Sequence, residues 1–176
     1  MEVTTLNILS VIGTWIAAIG TVGAVITSLW LASSNNRVKL KISAETNSLL
    51  SSNESGHKEV CLIHIVNIGT RPIKINNIGW TIGKGKKKIT LLQNTNGSTI
   101  DNVPKTILEN EDINIDISFI GNKLNWIENM AKFAMKHDID TLQIIATTNI
   151  NKTFKAKAGK SIISSILKKK KELENK

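Results

Sequence analysis

The chain has 176 residues, a pI near 9.7 and a formal charge of +9, with 41% hydrophobic residues and a mean hydropathy of −0.03. That is enough apolar material for one small domain plus an accessory segment, and it excludes global disorder. The single cysteine, Cys61, excludes an internal disulfide framework and a cysteine-based zinc site.

Charge is unevenly spread. The first 36 residues carry only Glu2, and the 140 that follow carry 23 basic and 13 acidic side chains, a net of +10. From Val3 to Asn36 no residue is charged, and the apolar core Ile8 to Ala32 is 25 residues long. As a helix it would extend about 37 Å at ~1.5 Å per residue, where a hydrocarbon layer of about 30 Å needs roughly 20 residues. The stretch predicts a membrane span with some tilt, with Trp30 near an interface. A cleaved signal peptide is the competing reading. No Lys or Arg precedes the run, the run is long, and no clear small-x-small cleavage site follows it. Arg37, Lys39 and Lys41 follow the span, so the positive-inside rule predicts the N-terminus outside and the C-terminal body in the cytoplasm. A free Cys61 suits that reducing compartment.

Within the span, Ser10, Gly13, Ala17, Gly20, Ala24 and Thr27 recur at spacings of three and four, which makes one helix face of small residues. Such a face lets helices approach closely in lipid and predicts a homo-oligomer seam. Beside it run Asn7, Thr14, Thr21, Ser28 and Asn35, seven residues apart. This stripe suits the lining of a polar pore. Equally, its hydroxyls can bond their own helix backbone and need nothing else.

The body reads as strands with period-two alternation. Val38, Leu40 and Ile42 alternate with Lys39 and Lys41; Cys61 to Val66 looks buried on both faces. Ile73 and Ile75 shift parity to Ile78, Trp80 and Ile82, which predicts a bulge at Asn76-Asn77. Ile89 to Gln93, Ile113 to Phe119, Leu142 to Thr147 and Phe154 to Ala158 complete seven strands. Gly69 to Pro72, Gly83 to Lys86 and Asn149 to Asn151 supply tight turns. Leu124, Ile127, Ala131, Ala134 and Met135 form a helical face after Gly121-Asn122, and Asn47 to His57 and Asn94 to Lys105 read as long mobile loops. From Lys160 to Lys176 a second helix is predicted, with Ile162, Ile163, Ile166, Leu167 and Leu173 inward. The expected fold is mainly β. It has an N-terminal transmembrane helix (1–36), a seven-stranded Ig-like antiparallel β-sandwich with one inserted helix (37–159), and a basic C-terminal helix (160–176).

No enzyme, metal site or cofactor site is read from the sequence. His57, His64 and His137 lack ligand spacing, His64 reads as a satisfied core histidine, and Cys61 reads as an inert buried thiol. Asp138-x-Asp140 reads as a turn, and Glu109, Glu111 and Asp112 as a solvated loop. Gly83-Lys84-Gly85-Lys86 lacks the spacing of a phosphate loop. The basic surface remains. Lys84, Lys86, Lys87 and Lys88 crowd one connection, Lys39 and Lys41 share a strand face, and Lys155 and Lys157 share another. First and last strands can neighbour each other in a sandwich, which would merge these rows. They then predict either attraction to anionic lipid or a pocket for phosphates. Scarce arginine and few aromatics argue for a grip on a nucleic-acid backbone over base reading, with Asn76, Asn77 or Thr90 available for extra contacts.

The span Thr14 to Ile26, T-W-I-A-A-I-G-T-V-G-A-V-I, followed by the strand Val66 to Ile75, V-N-I-G-T-R-P-I-K-I, resembles small membrane-anchored β-sandwich proteins of bacteria. In architecture, size and charge the chain is also similar to nucleotide-responsive transmembrane effectors of antiphage defence. Nearest is the channel subunit of Hailong systems, held shut by an oligodeoxyadenylate from a partner nucleotidyltransferase. The likeness covers most of the chain as architecture and carries over no site residue by motif. It implies an oligomeric, ligand-gated effector of the bacterial inner membrane, with an anionic nucleotide or single-stranded oligonucleotide as partner. The alternative is a non-enzymatic membrane-anchored scaffold that binds a protein or anionic lipid.

Overall fold

A computed structural model describes residues 2–35, 37–50, 57–120 and 125–175. The chain divides into two compact units, Met1–Arg37 and Val38–Lys176. The first is a single helix, α1 (Glu2–Asn35). Its segment Val3–Ser33 has a mean hydropathy of 2.0 and is long and apolar enough to cross a membrane. A helix satisfies its own backbone groups there, and large side chains such as Trp15, Ile16 and Ile19 stand exposed along it.

The second unit is a β-sandwich with two helices. Its strands are β1 (Leu40–Leu50), β2 (His57–Asn67), β3 (Ile73–Ile82), β4 (Ile89–Leu92), β5 (Lys105–Ile107), β6 (Asp112–Ser118), β7 (Gln143–Thr148) and β8 (Thr153–Lys157). The helices are α2 (Trp126–Lys136) and α3 (Lys160–Glu174). One sheet has the order β1-β2-β6; the other runs β4-β3-β7-β8, with β5 also paired to β3. All pairings are antiparallel.

Isoleucine dominates the facing surfaces. Ile63, Ile65, Ile113 and Ile115 of the first sheet and Ile75, Ile78, Trp80 and Ile144 of the second are fully buried. β-branched side chains fit a pleated, half-buried surface, which is why alternation alone marks these strands. Helix α2 adds Trp126, Met130 and Ala131 to this core, and α3 adds Ile162 and Ile166. The Asn125 side chain accepts the Glu128 N–H and caps the start of α2.

Three strand edges are closed. At β1, the Gly159 N–H donates to the Ala44 carbonyl (2.9 Å) and the Thr46 N–H donates to Ser161 Oγ (3.0 Å). At β6, the Asn114 N–H donates to Asp101 Oδ2 (3.0 Å) and the Asp116 N–H to Ser98 Oγ (3.2 Å). Side chains thus take the place of a neighbouring strand. Beside β8, the edge is flanked by β1.

Several expectations change. The described residues form eight strands: β5 is added where the stretch read as a mobile loop ends, at Lys105, and Ser98 and Asp101 of that stretch are tied to β6 by the bonds above. Asn47 to Leu50 continue β1, and His57 already belongs to β2, so a hairpin replaces most of the other loop; its positions 51–56 lie outside the described residues. So do Asn36, Gly121, Asn122, Leu124 and Lys176. β2 is buried on one face only: Leu62, His64 and Val66 are half-exposed. His64 is therefore no core histidine; its Nε2 pairs with Asp112 Oδ2 at 2.9 Å on the outer face. Asp112 opens β6 instead of lying in a loop. Leu167 is exposed. The bulge at Asn76 is present as a register shift between Ile75 and Asn77, and β1 does neighbour β8.

Candidate anion-binding face and membrane helix

Lys155 and Lys157 stand on the outer face of the five-stranded sheet. Register makes two cross-strand rows there. One runs Lys157–Gln143–Thr81–Thr90, the next Lys155–Ile145–Gly79–Leu92. A side chain at Gly79 has no room, because its Cβ would press on the Leu91 carbonyl. Thr81 and Ile145 face outward by register yet are buried, and Thr81 Oγ1 has no hydrogen-bond partner. An orphaned buried hydroxyl in a lysine-rich surface is a polar group without its complement.

The connection before β4 folds tightly. Gly83 and Gly85 have φ of +93° and +56°, and a Cβ at Gly83 would lie 2.5 Å from the Lys87 carbonyl oxygen. Residues Gly85–Lys87 make a 3₁₀ turn, held by Lys87 N–H to the Lys84 carbonyl and Lys88 N–H to the Gly85 carbonyl, both 3.2 Å. The Gly83 N–H donates to Thr141 Oγ1 at 2.7 Å, which fixes the turn to the neighbouring segment. Lys84, Lys86, Lys87 and Lys88 are all exposed on it.

Lys88 reaches Lys155. The hydrogen bond that Lys155 offers to its neutral amine, together with the like charge, holds the Lys88 pKa below the ordinary lysine value. Neither residue, nor Lys84, Lys86, Lys87 or Lys157, forms an ion pair with a carboxylate among the described residues. Two ammonium groups held together without a carboxylate leave a position that an oxyanion would neutralise.

Lys41 lies elsewhere, on the first sheet, in a row with Val66 and Asp112; Lys39 precedes β1, and its carbonyl accepts the Ile68 N–H. The turn and β8 therefore converge, while Lys39 and Lys41 belong to a different surface with a carboxylate of its own. Thr81 escapes sequence reading because its alternation partner pattern marks only an outward threonine. Burial of that position depends on what folds over it.

In α1 the hydroxyls of the stripe are used internally. Thr14 Oγ1 donates to the Ser10 carbonyl (2.9 Å), Thr21 Oγ1 to Ala18 (2.9 Å) and Ser28 Oγ to Ala24 (2.8 Å). Thr27 of the small face bonds Gly23 in the same way (2.8 Å). Asn7, Ser10, Ala17 and Ala24 are exposed, and a Cβ at Gly13 or Gly20 meets nothing within 4 Å.

Cys61, Asp116 and Asp138 are held within the structure of the body. Cys61 is buried, and burial, with Glu45 nearby, pushes its thiol far above the usual range. For Asp116, burial works to raise the pKa, but hydrogen bonds from Ser98, Thr99 and Ile100 outweigh it and hold the carboxylate below its usual value. Asp138 caps a short turn through the Asp140 N–H (3.1 Å).

No family model and no curated protein matches this chain. Among solved structures, it is similar to Northeast Structural Genomics Consortium target SoR45, at 13% identity over 70% of this chain and 83% of that one, with a TM-score of 0.29.

Proposed function

We propose that this chain is a membrane-anchored, homo-oligomeric effector of antiphage defence in the bacterial inner membrane. Its cytoplasmic body binds an anionic nucleotide or single-stranded oligonucleotide, supplied by a partner nucleotidyltransferase, and gates membrane permeability. The observation that supports the ligand is the orphaned Thr81 hydroxyl on the outer sheet face, in a row with Lys157 and next to the row of Lys155, with the exposed lysines of the turn at 83–88 at the end of the same strand. Lysine is a strong point-charge phosphate binder, so the backbone of the ligand supplies most of the attraction. The test uses full-length protein in nanodiscs and a labelled short oligodeoxyadenylate. Binding is saturable, weakens linearly in log–log form with salt, and is lost in Lys88→Glu with Lys155→Glu. Binding without length preference, without saturable stoichiometry, or unchanged in that variant overturns the reading.

A second reading is favoured by the hydrogen bonds of Thr14, Thr21 and Ser28 to their own helix. Hydroxyls satisfied in this way need no water-filled pore, and the protein is then a non-conducting scaffold for a protein partner or anionic lipid. Liposomes that carry the purified protein separate the two. Ligand-dependent ion flux supports the channel; flux absent with and without ligand supports the scaffold.

A further inference from the structure

Between α2 and the adjoining ends of β4 and β6 the body opens into a cleft of about 770 Å³. Its lips are Leu92 and Ile120, each 76% exposed, the two most exposed large hydrophobic side chains among the described residues of this unit. Contiguous exposed apolar surface at a concavity marks a binding groove. The depth of the cleft is aromatic. Trp126 stacks on Phe119 (centroids 5.5 Å apart, planes 18° apart) and tilts against Trp80 (5.5 Å, 53°). Both indole N–H groups donate to Gln93 Oε1, at 3.2 Å from Trp80 and 3.0 Å from Trp126. Their polar needs are met internally and both indoles are buried, so they form a fixed floor, and the accessible apolar surface of the cleft is that of its lips.

The exposed charge of the cleft is positive, and its carboxylate is buried. Lys58 lines it, is exposed, and makes no ion pair among the described residues. Asp116 also lines it, but Oδ1 accepts from Ser98 Oγ (2.7 Å), Thr99 N (2.6 Å) and Ile100 N (3.2 Å), and Oδ2 accepts from Thr99 Oγ1 (3.0 Å). That carboxylate is consumed by the loop. Asn129, on the exposed side of α2, adds an amide at the wall.

From the cleft's aromatic depth, amide wall and unpaired lysine, we infer that it binds a planar heteroaromatic ring bearing an anionic group. The ring lies between Leu92 and Ile120, over the floor that Trp126 and Met130 make, its edge meets the Asn129 amide, and the anion faces Lys58. Packing of a flat ring between two exposed apolar side chains tolerates many rings. That the ring is a base of the same ligand rests on the reading proposed above. β4 joins the two places, since Lys88 precedes it and Leu92 ends it. At ~3.3 Å per strand residue they are about 13 Å apart along the edge, a span for a short oligonucleotide and not for one phosphate.

The test uses full-length protein in nanodiscs with Trp15→Phe and Trp30→Phe, so that Trp80 and Trp126 alone report. Adenosine 5′-monophosphate is the probe, ribose 5-phosphate the anion without a ring, and equilibrium dialysis counts bound ligand. We expect one adenosine monophosphate per chain with quenched fluorescence, and binding by ribose 5-phosphate weaker by about tenfold or more. Asn129→Phe fills the cleft from an exposed position and should abolish nucleotide binding, and Lys58→Gln should weaken it several-fold, with thermal midpoints unchanged. Lys88→Glu with Lys155→Glu should leave mononucleotide binding intact while oligonucleotide binding is lost. Equal binding of the two phosphates, or undiminished nucleotide binding in Asn129→Phe, overturns the cleft assignment. If the oligonucleotide still binds through Lys88 and Lys155 in that case, the lysine face stands without the cleft.

Discussion

Gly159 and Ala44 join α3 to the open edge of β1. The Gly159 N–H donates to the Ala44 carbonyl at 2.9 Å, and a Cβ on Gly159 would lie 2.6 Å from that same oxygen and 2.9 Å from Glu45 Cδ. Its φ of −60° is open to any residue, so the glycine is required by space and not by backbone conformation. Next to it, Ser161 Oγ accepts the Thr46 N–H and donates to Glu45 Oε2 (2.9 Å), which repeats the attachment one residue pair along. Gly159→Ala must push backbone against backbone. It should destabilise the body by about 1–3 kcal/mol, the range of overpacking. Urea unfolding in detergent, followed by tryptophan emission, measures this; an unchanged midpoint would show that the junction relaxes freely.

The acid response of the body should depend on Asp116 and Asp101. Hydrogen bonds from Ser98, Thr99 and Ile100 outweigh burial at Asp116, while Lys105, followed by the Asn114 N–H, lowers Asp101. A carboxylate with a depressed folded pKa stabilises the fold above its unfolded value. That contribution is lost as pH falls through the folded value. Stability should therefore be flat near neutrality and decline below about pH 4. Asp116→Asn should lose about 1–3 kcal/mol at pH 7, because the charge-assisted bonds weaken and an amide N–H₂ must face donors. Its further decline toward pH 3 should be shallower than that of the wild type. Parallel losses in the two proteins would place the acid sensitivity elsewhere.

Lys88 gives the same sign of stability against pH, in a more alkaline range. Its folded pKa is lowered by Lys155, so the protonated fold is the disfavoured one, and this pair becomes less destabilising as pH rises through the folded value. Ligand binding needs both charges and runs the other way. Affinity for tripolyphosphate should fall with rising pH before the ordinary lysine range near pH ~10.4 is reached. Lys155→Gln should weaken binding and move the Lys88 titration upward, as read by carbon NMR of labelled lysines. A Lys88 titration that ignores Lys155 would separate the two side chains.

The sandwich was legible where isoleucine alternates. Ile113, Ile115 and Ile117 alternate with polar residues, and all three are buried. β5 was not legible, since three residues are too few to show a period, and its strand character comes from pairing with Ile73 to Ile75. The continuation of β1 through Asn47 and Ser48 was hidden because an exposed hairpin arm needs no apolar face. Parity alone made β2 seem buried twice over, whereas Leu62, His64 and Val66 face outward and His64 answers Asp112 across the sheet. The lysines of the candidate site stood out in the sequence. Which of them meet did not, because Lys88 and Lys155 come together only through the order β4-β3-β7-β8. The aromatic cleft was still less visible: Trp80, Gln93 and Trp126 lie on three separate elements or loops, and one shared acceptor atom joins them.

Gly13 and Gly20 permit a clean test of self-association. Within one chain a Cβ at either position meets nothing within 4 Å, so a larger side chain there creates no clash with its own helix. Leucine also raises helix propensity relative to glycine, and it is as apolar as the lipid-facing residues around it. Insertion and helicity should therefore survive Gly13→Leu and Gly20→Leu. Close packing of two helices should not, because backbone approach in lipid depends on side chains no larger than alanine at the seam. Each variant should shift the detergent-solubilised protein from oligomer toward monomer, read by cross-linking ladders and sedimentation. Val22→Leu, on the opposite side of the helix, should leave the ladder unchanged. An identical ladder for wild type, Gly13→Leu and Gly20→Leu would mean that the small face does not pack, and any oligomer would then have to form through the body.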